Sequence, residues 1–245
     1  IKTSYEVGLD MKFLENRLGF DFTYYYNTTK NQAMLVDASA PWTQQWVNAG
    51  KINNTGVELM LYGSPVRTRD FQFDLTANFA HNRSTVKELA NGVNRVYFSG
   101  DSNMPVKVGA VSGGKLGDIF ANNLMKRDAQ GRVVIGENGL PMPETGNGNQ
   151  EDYILKHPIG NIQPDLLMSV TPTFTYKGVS LTAMFDMKFG GDIVSVSEGM
   201  ATAVGTSERT VNRGEYKTIN GVADWYMVVP GVKEDGSVNN IPVSA

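Results

Sequence analysis

The stretch from Asp165 to Gly191 repeats apolar side chains at every second residue. Its first arm carries Leu166, Met168, Val170, Pro172, Phe174 and Tyr176, and its second carries Val179, Leu181, Ala183, Phe185, Met187 and Phe189. Because alternate side chains of a strand point to opposite faces, the repeat predicts an amphipathic β-hairpin that turns at Lys177-Gly178. Each arm has roughly eleven residues, about the length with which a tilted strand crosses a bilayer. Pro172 lacks an N–H group, so a bulge or a missing hydrogen bond is expected there.

Four further stretches show the same period and predict strands. They are Thr3–Phe13, Leu18–Asn27, a stretch that contains Val57, Leu59 and Leu61, and Phe71–Phe79. The connections alternate between short turns (14–17, 64–70, 177–178) and long loops (28–45, 91–163, and the segment after 191). In an antiparallel up-and-down sheet this order places every short turn at one edge, as in outer-membrane barrels. Aromatic residues near the strand ends fit the girdles of such a barrel.

Composition excludes several other classes of protein. The 245-residue chain has a net charge of −3 and no cysteine, so disulfide frameworks and thiolate metal sites are impossible. It has no basic stripe for nucleic acid and no apolar run of the roughly 18 residues that a membrane helix needs. No signal peptide opens the sequence, which predicts that it is a piece of a longer protein.

No set of residues with catalytic spacing is present. His81 and His157 lack metal-ligand partners, and there is neither a nucleophile elbow nor a phosphate-binding loop. The segments Asp128–Gly131 and Glu234–Ser237 have the residues of tight turns rather than of a calcium loop. We therefore expect no enzyme activity, no cofactor and no metal.

One segment carries a motif. Val47–Leu59 reads VNAGKINNTGVEL and resembles the N-x-G-x-I-x-N-x-G-x-E segment of the SusC/RagA-like TonB-dependent transporters of Bacteroidetes. Other blocks resemble that family in the same order along nearly the whole chain. They are Thr3–Asp10, Asn16–Leu18, Asn78–Arg83, Ile159–Asp165, Phe189–Asp192, and Val229–Val232 with Asp235, Gly236 and Asn239.

The resemblance implies an all-β fold, an antiparallel up-and-down transmembrane β-barrel segment with long extracellular loops. About six strands of a 22-stranded barrel would lie in residues 1–245, as a partial C-terminal β-barrel region without the plug domain and the final strands. It implies TonB-energised import of glycans or oligopeptides across the Gram-negative outer membrane. The implied partners are a SusD-like surface lipoprotein, TonB (through an N-terminal part outside this chain) and outer-membrane lipid, with no nucleic acid.

Two groups of candidate site residues follow from the sequence. Exposed indoles can stack on sugar rings or cover peptide side chains, so the loop residues Trp42, Trp46 and Trp225 are candidate substrate contacts. The motif residues are expected to be structural and to face the lumen or the plug: Asn48, Gly50, Asn53, Gly56 and Glu58. The apolar phase slips between Ile52 and Val57, which predicts a bulge within 53–56.

Two irregular segments carry their own expectations. Residues 91–163 are too apolar in places for a disordered tether, so we expect them to fold over the extracellular mouth of the barrel. There they would contact either the substrate or the SusD-like lipoprotein, which acts as the lid. Within them, Arg132–Ile135 is a predicted short strand and Asn138-Gly139 a predicted turn. Val196–Val204 is a predicted short helix.

The alternative reading is a soluble, secreted carbohydrate-binding β-sandwich. It explains the alternation and the tryptophans, but not the long strands or the segregation of the loops. The barrel predicts an outward apolar face that no second sheet covers. Its members would be Tyr5, Leu9, Phe22, Leu59, Phe73, Leu75, Val170, Phe174, Leu181 and Phe185.

Overall fold

The computed structural model describes residues 1–37, 44–99, 105–146, 148–211 and 214–244. Their strands are β1 (Lys2–Phe13), β2 (Leu18–Asp37), β3 (Gln44–Arg67), β4 (Phe71–Glu88), β5 (Arg95–Ser99), β6 (Val106–Val111), β7 (Asp118–Ala121), β8 (Val134–Ile135), β9 (Gly160–Asn161), β10 (Pro164–Tyr176), β11 (Val179–Thr182), β12 (Phe185–Gly190), β13 (Glu215–Ile219), β14 (Val222–Val228), β15 (Val232–Lys233) and β16 (Pro242–Ser244). The helices are α1 (Gln150–Lys156), α2 (Val196–Ala203) and a 3₁₀ turn, Glu208–Thr210. The chain divides into two compact units, one of residues 1–98, 108–119 and 160–192, the other of 99–107, 120–159 and 193–245.

The first unit is built on one antiparallel sheet in the order β1-β2-β3-β4-β10, with β11 and β12 in line along the far side of β10. This gives the six strand positions that the periodicity predicts. The short turns lie at one edge: the backbone N–H of Lys177 donates to Asp70 O at 2.9 Å, and that of Ser64 donates to Arg17 O at 2.8 Å. The short turns therefore lie together at one edge of the sheet, as the alternation of short and long connections predicts. Among the described strands, β1 and β11/β12 each pair on one side only, so the sheet is an open section.

The two faces of this sheet differ in polarity. Directly paired residues share a face, so one row across the sheet reads Leu9, Phe22, Leu59, Phe79, Met168 and Met187. All ten predicted outward residues lie on this apolar face, and Tyr5, Leu9, Leu181 and Phe185 are 51–69% exposed. A β-sandwich would bury this face against a second sheet. The exposure therefore confirms the barrel section and excludes the sandwich alternative.

The strands are longer than predicted at the long-loop end. Residues 28–37 and 44–45 belong to strands, because the β2–β3 pairing continues from Leu18↔Gly63 to Asp37↔Gln44. Residues 38–43, including Trp42, lie outside the described residues. At the short-turn end β3 continues through Pro65 to Arg67, so the predicted turn 64–70 is reduced to 68–70. At the long-loop end β4 runs to Glu88. The period is lost there because Asn31 and Gly50 have positive φ and the pairing skips both residues.

Two expected irregularities were located. Pro172 pairs with Leu75 on one side, while on its other side the ladder is interrupted between β11 and β12 without a change of register. This is the missing bond and not a bulge. The bulge predicted within 53–56 was misplaced, since the register shifts between Lys51 and Ile52 and the extra residue, Lys87, lies on β4.

Residues 91–163 are not one loop but contribute strands to both units. A four-stranded sheet forms in the order β5-β6-β7-β9. The chain at 113–116 then pairs with the upper part of β4, where Val86 N–H donates to Gly114 O at 3.0 Å and Leu116 N–H donates to Ser84 O at 3.1 Å. These bonds occupy the edge of β4 beyond Ala80, the last residue that β10 pairs with.

The second unit contains small sheets and both helices. β8 pairs in parallel with β15, and Val134, Ile135 and Val232 are buried there. This confirms the predicted strand in part, because only Val134–Ile135 of Arg132–Ile135 is in the strand. The predicted turn is confirmed by Gly139, whose φ is 78° and whose N–H donates to Gly136 O at 2.9 Å. The predicted helix is confirmed as α2.

Two further predicted turns of this unit are present: Gly131 N–H donates to Asp128 O at 3.0 Å in the first, and Asp235 forms the second. Hydrogen bonds from the Ser237 hydroxyl and backbone N–H hold the pKa of the Asp235 carboxyl below its ordinary value. Gly236 supplies the positive φ of 82° that the turn requires. None of the helices described is long and apolar enough to span a membrane.

Candidate functional site

The polar face of the main sheet holds a shallow hollow of about 400 Å³. One row across it runs Asp21, Met60, Asn78, Ser169 and Asp186, and Glu58 lies one row away. The Asn78 amide donates to Ser169 Oγ at 3.1 Å. Three carboxylates and several neutral polar groups therefore line a surface that can hydrogen-bond a polar ligand.

Two tyrosines on the polar face lie over glycines of the neighbouring strand. A Cβ atom at Gly56 would overlap the ring of Tyr25, and one at Gly19 would overlap the ring of Tyr62. Each pair is directly opposite in the register. The motif glycine Gly56 is thus required for close packing of the Tyr25 ring, whose hydroxyl donates to Asn82 Oδ1 at 3.2 Å.

An apolar cavity of about 340 Å³ lies at the long-loop end of the same unit. Ile52 (7% exposed) and Val86 (0%) form one wall, and Val96 and Ala110 from β5 and β6 contribute to the lining. Ile52 and Val86 are directly paired and belong to the polar face. The apolar phase slips at Ile52 because a second layer covers the polar face at this end.

Trp46 lines this cavity and is 72% exposed. Gly50 of the motif lies in the same lining, so the structure brings one predicted substrate contact and one motif residue together. An indole with one side on an apolar cavity and the other accessible can cover a sugar ring or a peptide side chain.

The five predicted motif residues do not share one face, because the second asparagine of the N-x-G-x-I-x-N-x-G-x-E pattern is Asn54 and not Asn53. Asn54, Gly56 and Glu58 lie on the polar face, whereas Asn53 is paired with Thr28 on the apolar side. The Asn53 amide donates to the Tyr26 hydroxyl at 2.6 Å, and its Oδ1 accepts from Thr28 Oγ1 at 3.2 Å. Asn53 thus joins β2 to β3, while Asn48 is exposed beyond the positive-φ residue Gly50.

Trp225 belongs to the second unit and lies on β14. It is 51% exposed and packs edge-on against Tyr216, with ring centroids 5.9 Å apart. Hydrogen bonds from the Ser244 hydroxyl and from Trp225 N–H lower the pKa of the adjacent Asp224. The Ser244 bond joins β16 to β14 at the residue before Trp225.

A polar cluster around the buried Asp118 joins three elements of the first unit. Asp118 is 4% exposed, and its carboxylate accepts from Lys115 N–H at 2.9 Å and from the Asn161 amide at 2.8 Å. Asn161 N–H in turn donates to Asp192 Oδ2 at 2.9 Å. We call Asp118, Asn161 and Asp192 the acidic node. No local sequence pattern shows that Asp118 meets its distant partner Asn161.

Both histidines have contacts other than metal ligation in the part of the chain that the structure describes. His81 is exposed and its Nδ1 contacts Asp165 O, and His157 stacks on Tyr153 with ring centroids 4.0 Å apart. Within the described ranges, no group of three His, Asp or Glu side chains is placed to hold a metal ion.

Comparison with known proteins identifies the family to which this sheet, with its one apolar and one polar face, belongs. Residues 3–124 match the family model described as "TonB dependent receptor-like, beta-barrel". The chain is a section of a TonB-dependent receptor β-barrel. The resemblance to the SusC/RagA-like members is confirmed by similarity to SusC in sequence and to the RagAB transporter in structure.

Three curated TonB-dependent receptors are similar in sequence. SusC of Bacteroides thetaiotaomicron is 28% identical over 200 residues, which are 76% of this chain and 18% of SusC. Receptors P26 and P3 of Formosa agariphila are each 22% identical, over 90% and 78% of this chain and 22% and 20% of their own lengths. The chain therefore spans about a fifth of each of these receptors.

Solved structures of the RagAB peptide transporter share the fold. One superposes with a TM-score of 0.54 at 23% identity, over 76% of this chain and 20% of the other. A second, of the "closed-closed" state, gives 0.55 at 22% identity, over 78% and 21%. The barrel relationship identifies the apolar face as the lipid side and the polar face, with its hollow, as the lumen side.

Proposed function

We propose that the protein that carries this chain imports a nutrient across the outer membrane, energised through TonB. The observation that carries the proposal is the open sheet with one exposed apolar face and one polar face. That arrangement suits a wall between lipid and an aqueous lumen. We place residues 1–245 in the C-terminal part of the barrel.

The substrate class that we propose is a glycan or an oligopeptide. The hollow at Asp21, Glu58 and Asp186 offers carboxylates to sugar hydroxyls or to peptide N–H groups. The RagAB transporter imports peptides by its name, which favours an oligopeptide. A SusD-like lipoprotein is the proposed partner at the loop end, and TonB the proposed partner through a part outside this chain.

Uptake measurements with the full-length gene test this proposal. We expect a strain that lacks the gene to lose uptake of a labelled glycan or a labelled oligopeptide, and a strain that lacks TonB to lose the same uptake. Complementation by the wild-type gene restores it. Unchanged uptake of both substrate classes in the deletion strain would show that nutrient import is the wrong function.

We predict that Trp46→Ala weakens substrate binding by about 1–2 kcal/mol, or roughly 5- to 30-fold in Kd, the cost typical of removing an aromatic anchor. The conservative Trp46→Phe retains an aromatic face and should recover most of the affinity. Titration calorimetry on the purified transporter with its imported substrate measures both. Equal affinities of wild type and Trp46→Ala would remove Trp46 from the site, and the same comparison applies to Trp225→Ala.

We also propose that the excursion at 126–142 contacts the lid or the substrate. Its ends are adjacent, since Lys126 N–H donates to Met142 O at 2.8 Å. Replacing 127–141 with Asn-Gly, a favoured two-residue hairpin turn, closes the gap while keeping the flanking pairing. We expect lower co-purification of the lipoprotein or lower uptake in a barrel that still assembles. If both stay at wild-type levels, the excursion only packs on neighbouring loops.

A further inference from the structure

A polar cavity of about 240 Å³ opens where β10 ends its pairing with β4. Below this point the two strands are hydrogen-bonded up to Ala80, and above it residues 113–116 replace β10 along β4. The lining consists of His81, Asn82, Arg83, Ser84, Lys115, Asn161, Gln163, Pro164 and Asp165. All of these residues belong to the first unit.

Arg83 and Lys115 are the cations of this cavity and lie on the lipid side of the sheet. Arg83 shares a row with Tyr5, Tyr26 and Thr55 on the apolar face. Lys115 forms an isolated antiparallel β-bridge with Thr85, which lies two residues beyond Arg83 on the same face of β4. Both side chains are exposed. Among the described residues, neither the guanidinium nor the ammonium forms an ion pair or a hydrogen bond.

The lining of the cavity adds one carboxylate to these two cations. Asp165 supplies its single carboxylate, and this side chain lies against Gly190. His81 is held at the rim by its contact with Asp165 O. Gln163 adds an amide beside the two cations. The two cations, which have no side-chain partner among the described residues, therefore face one lining carboxylate. Asp118 and Asp192 of the acidic node are bonded to Lys115 N–H and Asn161 at the margin of the cavity.

The depth of the cavity follows from the extent of the apolar face. On β4 the apolar residues alternate from Phe71, beside Tyr176, up to Phe79, and the row above is that of His81. The ten steps from position 71 to 81 span about 33 Å along a strand, or about 25 Å of bilayer depth at the usual tilt. This matches the apolar band of an outer-membrane barrel, so Arg83 and Lys115 lie at its upper border.

Aromatic residues mark the same level. Tyr5, Tyr24 and Tyr26 occupy the two rows that contain His81 and Arg83. Tyrosine is typical of the girdle at the border between hydrocarbon and headgroups. One row further up, the face becomes polar, with Thr3, Thr28, Asn53 and Thr85.

We propose that Arg83 and Lys115 bind a phosphate group of an outer-leaflet lipid. A guanidinium gives phosphate two parallel N–H donors and an ammonium adds a point charge, both stronger at a membrane border than in bulk water. Arg83 and Lys115 lie on the lipid side at headgroup depth, so a phosphorylated lipid reaches them by lateral diffusion. The Gln163 amide can donate to a remaining phosphate oxygen.

The test measures lipid binding to the full-length transporter by native mass spectrometry in detergent. The probes are bisphosphorylated lipid A, the same lipid after enzymatic dephosphorylation, and inorganic phosphate. We expect Arg83→Gln/Lys115→Gln to weaken binding of lipid A, by roughly fivefold for each cation removed. The dephosphorylated lipid should bind wild type and variant equally.

The control is Lys12→Gln/Lys188→Gln, which removes the same charge from the polar face. Lys12 and Lys188 are exposed and paired with Gly19 and Leu167 on that side of the sheet. This variant should bind lipid A as wild type does. Equal lipid A binding by both double variants overturns the proposal. Inorganic phosphate that binds without lipid, and is lost only in Arg83→Gln/Lys115→Gln, would mean a soluble anion site and overturn the lipid assignment.

Discussion

Replacing Leu75 with arginine is expected to destabilise the barrel by about 2–4 kcal/mol, the cost of an arginine on the lipid face near the bilayer midplane. Leu75 lies on the apolar face in a row with Phe13, Leu18 and Pro172. It is four steps above Phe71 on a band of ten, close to the middle. The charged group must either leave the hydrocarbon or draw water into it, and both cost free energy.

The matched control is Thr76→Arg. Thr76 is the next residue on β4 and lies in a row with Tyr62 and Thr171 on the polar face. The same side chain at the same depth then meets the lumen, where substitutions are far less costly. Guanidinium unfolding of the full-length protein in lipid vesicles measures both variants. Equal losses of unfolding free energy in the two variants would contradict the assignment of the apolar face to lipid and of the polar face to the lumen.

A strand of this molecule is predictable from its sequence where one of its faces contacts lipid and the other contacts the aqueous lumen. From Phe71 to Phe79 one face meets lipid and the other meets the lumen, so each residue type reports its side and the period is strict. Beyond Asn27 in β2 both faces lie outside the apolar band. The backbone still pairs as far as Asp37, but the side chains no longer alternate, and the strand was predicted as a loop.

The misplaced bulge has a different cause. Ile52 looked like a slip of register because its apolar side chain is on the polar side, yet it is buried there opposite Val86 and beside Val96. The layer that covers Ile52 comes from β5 and β6, which are far away in sequence, so no local pattern predicts it. The same holds for the cavity that Trp46 lines. Its indole was predictable as a candidate contact, but its neighbours were not.

Loss of the Asp118 carboxylate is expected to have the second large effect. Asp118→Ala removes two charge-assisted hydrogen bonds, leaving the Lys115 N–H without its acceptor and the Asn161 amide with only its 3.2 Å bond to Leu116 O. Bonds to a charged group contribute about 1.5–3 kcal/mol each, and a buried unsatisfied donor costs about 1–3 kcal/mol. We therefore expect the region around the acidic node to lose about 3–5 kcal/mol of local stability. Hydrogen exchange of the amides in 113–121 measures this loss.

Two controls separate the carboxylate from general effects of substitution. Asp118→Asn keeps the volume and one acceptor oxygen, so its amides should exchange at rates between those of wild type and Asp118→Ala. Asp10→Ala removes an exposed carboxylate whose contact with Lys12 is a 3.7 Å surface pair, worth at most about 1 kcal/mol. Unchanged exchange of 113–121 in Asp118→Ala would contradict the role of the node.

A double-mutant cycle assigns the effect to the bond between Asp118 and Asn161. If the 2.8 Å contact carries the stability, Asn161→Ala should cost much less in the Asp118→Ala background than in wild type, with a coupling of about 1–3 kcal/mol. Additive losses would mean that the two residues act separately. Asn161 also accepts from Gln163 N–H at 2.8 Å and donates to Asp192 through its backbone. The backbone bond to Asp192 remains in Asn161→Ala, so a large coupling would indicate that the segment before β10 and the start of β7 are held together through the buried carboxylate of Asp118.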